Sequence, residues 1–241
     1  MDPQVRDLLR TIVFSDTIMM TIEFPEQATS GQILYRYLGF LMACLTLNRK
    51  MFELGLPLRG AIDIGEFVSV QNCFAGKVIV SSYEKTQRLD LAATVVSDEA
   101  FNYYAELMAE ARLSFKTAVS DEQFQEVRDV FFLEHLIPLN DGQKRRHRAL
   151  NILTLDAPGI SEINPDIRAY VVESFSKHKK DVPPEVYPKL NNTEILLRAA
   201  LALVQKRGKQ VRTRSSLPNQ GASKPAEPKT GIAPGSTSKP E

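Results

Sequence analysis

The sequence predicts a soluble α/β protein followed by a disordered tail, and three observations carry that expectation. Short runs of β-branched and apolar residues alternate with longer runs whose apolar residues recur at helical spacing. Hydrophobic residues make up 43% of the 241, enough for one large domain or one domain with extensions, at roughly 100–200 residues per domain. From Gly208 onward Pro, Ser, Gly, Lys and Thr dominate and large apolar residues almost vanish. Such a stretch cannot bury enough surface to offset its ordering entropy.

Thr11–Phe24 is rich in β-branched and apolar residues, and Ser15-Asp16-Thr17 interrupts it with three small polar ones. That pattern fits a hairpin with a tight polar turn, ended by Pro25. Thr29 or Ser30 can cap a helix in which Ile33, Leu34, Tyr37, Leu38, Leu41, Cys44, Leu45 and Phe52 share a face, and Gly55 terminates it. Leu56–Val70 reads as a strand region in which Gly60 and Gly65 mark a bulge or a close backbone approach. A helix over Phe74–Leu89, a strand over Ala92–Ser97 and a helix from Ser97 or Asp98 to about Phe115 follow. Within Asp121–Leu139, Val130–Leu133 is a strand, Asp141-Gly142 a turn, and Ala149–Leu155 the returning strand. Ile167–Lys179 is helical by period, Pro183-Pro184 breaks it, and Asn192 or Thr193 caps a last helix to about Lys206. The reading is thus a domain over 1–120, a C-terminal α/β extension of it over 121–207, and a disordered tail over 208–241.

Composition excludes several classes. A net charge of +1 gives no global nucleic-acid or membrane signal. The most apolar long stretch, Ile33–Leu47, is interrupted by Arg36 and is shorter than the ~20 residues of a membrane span. Charges near Met1 stand where an exported chain needs an apolar core, which places the protein in the cytoplasm. Cys44 and Cys73 read as buried free thiols in a reducing compartment. His135, His147 and His178 have no metal-ligand spacing, and there is no G-x-S-x-G, P-loop or G-x-G-x-x-G. The basic run Lys144-Arg145-Arg146-His147-Arg148 reads as a solvated hairpin loop rather than a nucleic-acid contact.

Three segments stand out in order: Val13-Phe14-Ser15-Asp16-Thr17-Ile18-Met19-Met20, Leu58-Arg59-Gly60-Ala61-Ile62-Asp63-Ile64-Gly65-Glu66, and Phe74-Ala75-Gly76-Lys77-Val78-Ile79, with Ser82-Tyr83-Glu84 close behind. In this order, with one long helix between the first two, they resemble the class III adenylate/guanylate cyclase domain. The similarity is nearest to its compact bacterial branch, which contains the pyrimidine cyclases of Pycsar anti-phage defence. It covers residues 10–100 well and the remainder loosely. The resemblance implies a ferredoxin-like palm, an antiparallel sheet with helices on one face, and a helical C-terminal extension. It also implies a homodimer with its site across the interface.

The implied reaction joins the 3′-oxygen of a nucleoside triphosphate, UTP or CTP by resemblance to that branch, to its own α-phosphorus and expels pyrophosphate. The 3′,5′-cyclic product would act as a second messenger on an effector protein. Two divalent cations, Mn2+ or Mg2+, polarise the phosphate and lower the hydroxyl pKa, and carboxylates hold them. Asp16, at the hairpin turn, has the type and placement for a metal-binding catalytic residue, though a turn aspartate also bonds its own backbone. Arg59, at the start of its strand, would contact the triphosphate, or else is an exposed strand-end charge. Gly76 would offer N–H groups to phosphate or merely admit a helix, and Tyr83 would meet the base or pack in the core.

Family members open with a strand bearing a first metal-binding aspartate in a D-x-x-G-F-like context. Only Met1–Arg10 precede this hairpin, and Asp2 and Asp7 lack that context. The expectation is that the sequence is truncated, that the first metal ligand comes from elsewhere, with Asp63 as the substitute, or that the domain is a catalytically inactive module binding nucleotide or protein. Val80 and Glu84 stand where typical adenylate cyclases carry a transition-state Asn and Arg, and Ile12 where they carry the adenine-reading Lys, which argues against a conventional adenylate cyclase.

Overall fold

In the computed structural model the described residues are 9–70, 73–115, 130–156, 166–179 and 181–215. Strands β1 (Leu9–Phe14) and β2 (Thr17–Ile22) form the expected hairpin, paired from Leu9↔Ile22 to Phe14↔Thr17 around the two-residue turn Ser15-Asp16. Ser15 takes φ 53° there, the left-handed conformation that such short turns demand. The hairpin is its own two-stranded sheet.

Helix α1 (Ser30–Glu53) opens with a capping box: the Thr29 hydroxyl accepts from the Gln32 N–H, and the Gln32 side chain accepts from the Thr29 N–H. Gly55 at φ +79° ends it, with Lys50 in the last turn. The expected strand over Leu56–Val70 divides into β3 (Gly60–Ile62) and β4 (Val68–Val70). β4 pairs antiparallel with β5 (Cys73–Ala75), a ribbon that carries Cys73 in the open. The expectation of two buried thiols therefore holds only for Cys44, whose pKa burial pushes up to about 12. Among the described residues this ribbon pairs with no further strand, and two short strands alone bury little.

Helix α2 (Lys77–Arg88), β6 (Thr94–Val96) and α3 (Asp98–Phe115) follow. β7 (Phe132–Pro138) and β8 (Lys144–Leu150) pair along their whole length. Three-residue or longer 3-10 turns lie at Ile152–Asp156, Lys177–Lys179 and Pro184–Val186, and helices α4 (Ile167–Ser176) and α5 (Tyr187–Ser215) complete the described chain. The main sheet has the order β3-β6-β8-β7. The fold is α+β with a helical C-terminal part, as expected, but two details differ. β3 and β6 run parallel, because the segment joining them contains a helix long enough to return the chain. Helices also lie on both faces. Gly60 and Thr94 are side by side, and Thr94 donates to Asn48 of α1, whereas the alternate residue Asp63 faces α2.

The core joins Tyr37, Leu41, Leu45 and Phe52 of α1 to Ile62 and Val96 of the sheet, Tyr104 and Leu107 of α3, and Leu196 and Leu197 of α5. Each such side chain contributes about 1.5–3 kcal/mol of burial. α5 begins five residues before the expected Asn192 cap, so Asn192 and Thr193 lie inside it and bond outward, to the Asp90 carbonyl and from the Ala92 N–H. It also continues through 208–215, which were expected to lack order, because Lys, Gln and Arg there are good helix formers and the next proline is Pro218. Residues 216–241, and 121–129 of the extension, lie outside the described residues. No helix among the described residues is long and apolar enough to cross a membrane.

Candidate functional site

The residues singled out in the sequence fall on three elements. Asp16 is the second turn residue of the β1–β2 hairpin, exposed, and among the described residues its carboxylate accepts only a long hydrogen bond from the Thr17 hydroxyl, at 3.4 Å. A two-residue turn leaves a side chain at its tip no neighbours to pack against, so the carboxylate is directed to solvent. Val13 and Phe14 beside it are 67% and 52% exposed. The hairpin is tied to the body by Arg10, which donates to the Ser69 hydroxyl at 2.6 Å, and by Arg36, which donates to the Glu23 carbonyl at 3.2 Å.

Arg59, Asp63 and the α2 residues form one layer. α2 runs back along β3: Val78 lies against Gly65, Ser81 and Lys85 against Asp63, and Leu89, just past the helix, against Arg59. The Arg59 guanidinium donates to the Leu89 carbonyl at 3.1 Å, a cation at a helix C-terminus, where the backbone dipole favours it. Arg59 therefore meets the C-terminal end of α2, and Asp63 its middle and last turn, at Ser81 and Lys85.

Asp63, expected as a substitute metal ligand, is largely enclosed by protein groups. Its side chain is 7% exposed. Oδ2 accepts from the Lys85 ammonium at 2.6 Å and the Ser81 hydroxyl at 3.0 Å, and Oδ1 from the Ile64 N–H at 3.2 Å. Burial pulls its pKa upward, but hydrogen bonds from Lys85 and Ser97, the Lys85 charge and the Ser81 hydroxyl outweigh that and hold the carboxyl below the usual range. Lys85, Ser81 and Ser97 were not singled out in the sequence. The spacing of Ser81 and Lys85, one helical turn apart opposite an acid on the preceding strand, is the signal that would have found them.

Gly76 sits where the chain entering α2 crosses residues 66–67. A Cβ there would lie 2.8 Å from the Glu66 carbonyl oxygen and 2.9 Å from the Phe67 Cα. Its carbonyl accepts from the N–H groups of Ile79 and Val80. The requirement for glycine is thus the close crossing. Tyr83 is 53% exposed and Val80 57%, on the side of α2 turned away from Ser81 and Lys85. Tyr83 does not pack in the core, which leaves its ring open to a ligand or partner.

The structure thus brings Asp63 together with Ser81, Lys85 and Ser97. It does not hydrogen-bond the Asp16 hairpin into the sheet that carries Arg59 and Asp63. No group of three or more His, Cys, Asp or Glu side chains able to hold a metal ion forms among the described residues. No family model, curated protein or solved structure matches the chain.

Proposed function

We propose that the chain is a metal-dependent nucleotide cyclase that converts UTP or CTP into a 3′,5′-cyclic nucleotide and pyrophosphate. It would act in the cytoplasm as a homodimer and signal to an effector in anti-phage defence. The observation that carries the reading is Asp16, a carboxylate with no strong partner among the described residues at the tip of a hairpin, followed in order by a long helix and the Arg59–Glu66 segment. The donor chemistry fits Mn2+ or Mg2+ at Asp16, since hard cations take exposed carboxylate oxygens. It fits at Asp63 only once Lys85 leaves, because Lys85 occupies Oδ2. Held at Asp16, the ion would supply charge to the α-phosphate and acidity to the 3′-hydroxyl. Tyr83 would meet the base with its exposed ring. Val68, Val70 and Val80, all more than half exposed, offer apolar surface that a second copy would cover.

A second reading, a catalytically inactive module that binds nucleotide or protein, draws support from the Asp63–Lys85 pair and from a hairpin that stands apart from β3. The two separate by direct assay. Folded protein incubated with each ribonucleoside triphosphate and Mn2+ yields a cyclic product on the first reading. It yields none on the second, while a nucleotide still raises its melting temperature.

A further inference from the structure

The run Lys144-Arg145-Arg146-His147-Arg148 is not the loop its composition suggested but strand β8 itself. Alternation divides it between two faces. On one face carboxylates answer the cations. Arg146 meets Glu134 at 3.0 Å, and Arg148 meets Asp98 at 2.8 Å while its guanidinium lies 3.9 Å over the Phe101 ring.

The other face differs. Arg145 donates to a neutral amide, the Gln143 Oε1 at 3.2 Å, and His147 stands directly opposite His135 in the β7–β8 register. The end of α2 is laid against the same hairpin. The Asn140 N–H donates to the Arg88 carbonyl at 2.9 Å, the Asp90 N–H to the Pro138 carbonyl at 3.1 Å, and Arg88 reaches Asp141 at 3.4 Å. The α2 carbonyls that would repel an anion are spent: Gln87 on the Asn140 amide, Arg88 on the Asn140 N–H, Leu89 on Arg59.

We propose that this face, built from Arg88 of α2, Arg145 and His147 of β8 and His135 of β7, is a proton-linked binding site for a phosphate-class oxyanion. Among the described residues the Arg145 guanidinium makes no salt bridge and feels the Asp141 carboxylate only through its charge, and Arg88 needs only to release a 3.4 Å contact to present its fork to phosphate oxygens. The imidazoles add N–H donors, and His147 adds charge when protonated. The electrostatics of His147 agree. Burial lowers its pKa first, Asp98 in the first turn of α3 pulls the other way, and Arg145, Lys85 and Arg88 lower it further. Lys85 is held by Asp63 and Arg88 by Asp141, so with a neutral His147 the charge in excess on this surface is that of Arg145. Protonation of His147 adds a second positive charge, and an anion seated there stabilises that form. Binding therefore tightens as pH falls through the histidine range. The site stands independently of the cyclase reading, since it invokes neither triphosphate nor turnover.

The chain has three histidines, which makes the test direct. Their ring signals are followed by NMR against pH, alone, with inorganic pyrophosphate, and with a short single-stranded oligonucleotide at matched phosphate concentration and ionic strength. The expected result is a rise in the His147 midpoint of about one unit, a tenfold difference in anion affinity between its two protonation states. His178, whose ring meets the Leu54 carbonyl, stays unmoved. Arg145→Gln, an exposed substitution that spares the fold, abolishes the rise. A larger response to pyrophosphate assigns the source as a free anion, and a larger response to the oligonucleotide assigns it as nucleic-acid backbone. No rise with either probe, or a rise that persists in Arg145→Gln, overturns the proposal.

Discussion

Removing the Lys85 partner of Asp63 tests the interior of the candidate site. Lys85→Met keeps the aliphatic stem and deletes the ammonium that sits 2.6 Å from Oδ2. The carboxylate, 7% exposed, is then left with Ser81, Ser97 and the Ile64 N–H. A hydrogen bond to a charged group contributes about 1.5–3 kcal/mol. The Lys85 side chain is 37% exposed, so solvent screening places the loss toward the lower end, about 1–2 kcal/mol. With a urea slope near ~2 kcal/mol per molar, the unfolding midpoint falls by about 0.5–1 M, measurable by circular dichroism. The pH dependence has a definite sign. A carboxyl held below its ordinary range stabilises the fold above its unfolded pKa of about 3.9, and that contribution is lost as pH falls through the folded value. Lys85→Met shrinks that contribution, so acid unfolding moves to higher pH. A variant as stable as the wild type, or more stable, refutes the ion pair as the reason Asp63 is ionised in place.

The same variant frees a carboxylate, so Mn2+ raises the melting temperature of Lys85→Met more than that of the wild type, and Asp63→Asn in that background removes the difference. Gly76→Ala forces a Cβ into the Glu66–Phe67 backbone and costs about 1–3 kcal/mol in urea unfolding. Equal stability would show that the crossing tolerates a methyl. Ser15→Gly relieves the φ 53° turn and stabilises the hairpin by up to about 1 kcal/mol, read as slower hydrogen exchange at Ile12 and Met19. Val70→Asp, on the exposed face of β4, shifts the sedimentation mass from dimer toward monomer if this ribbon meets a second copy.

Much of the framework was legible because it rests on local chemistry. The Thr29 cap with Gln32 three residues on, the apolar stripe from Ile33 to Phe52 and the Ser15-Asp16 turn each declare themselves in a few consecutive residues. The parallel β3–β6 pair was legible too, since a helix between two strands calls for a crossover, but the expectation of an antiparallel palm obscured it. β8 was placed five residues too late because Lys144–His147 offers none of the apolar alternation that marks a strand. Its pairing is supported from across the sheet, by Glu134 against Arg146 and by Leu133 against Ala149. The fate of Asp63 was hidden for the same reason. Whether a strand carboxylate faces solvent or an ammonium depends on which helix the crossover lays over it, a relation of 22 residues' separation. Asp16, whose surroundings are its own turn, lies where the sequence put it.

The central claim, that Asp16 serves phosphoryl chemistry, is tested most directly by product analysis. Wild type and Asp16→Ala, matched for folding by circular dichroism, are incubated with each of the four ribonucleoside triphosphates and Mn2+ and scored by mass spectrometry. The account predicts a cyclic nucleotide from UTP or CTP with the wild type and none with Asp16→Ala. No cyclic product from any triphosphate, or an undiminished yield from Asp16→Ala, contradicts it.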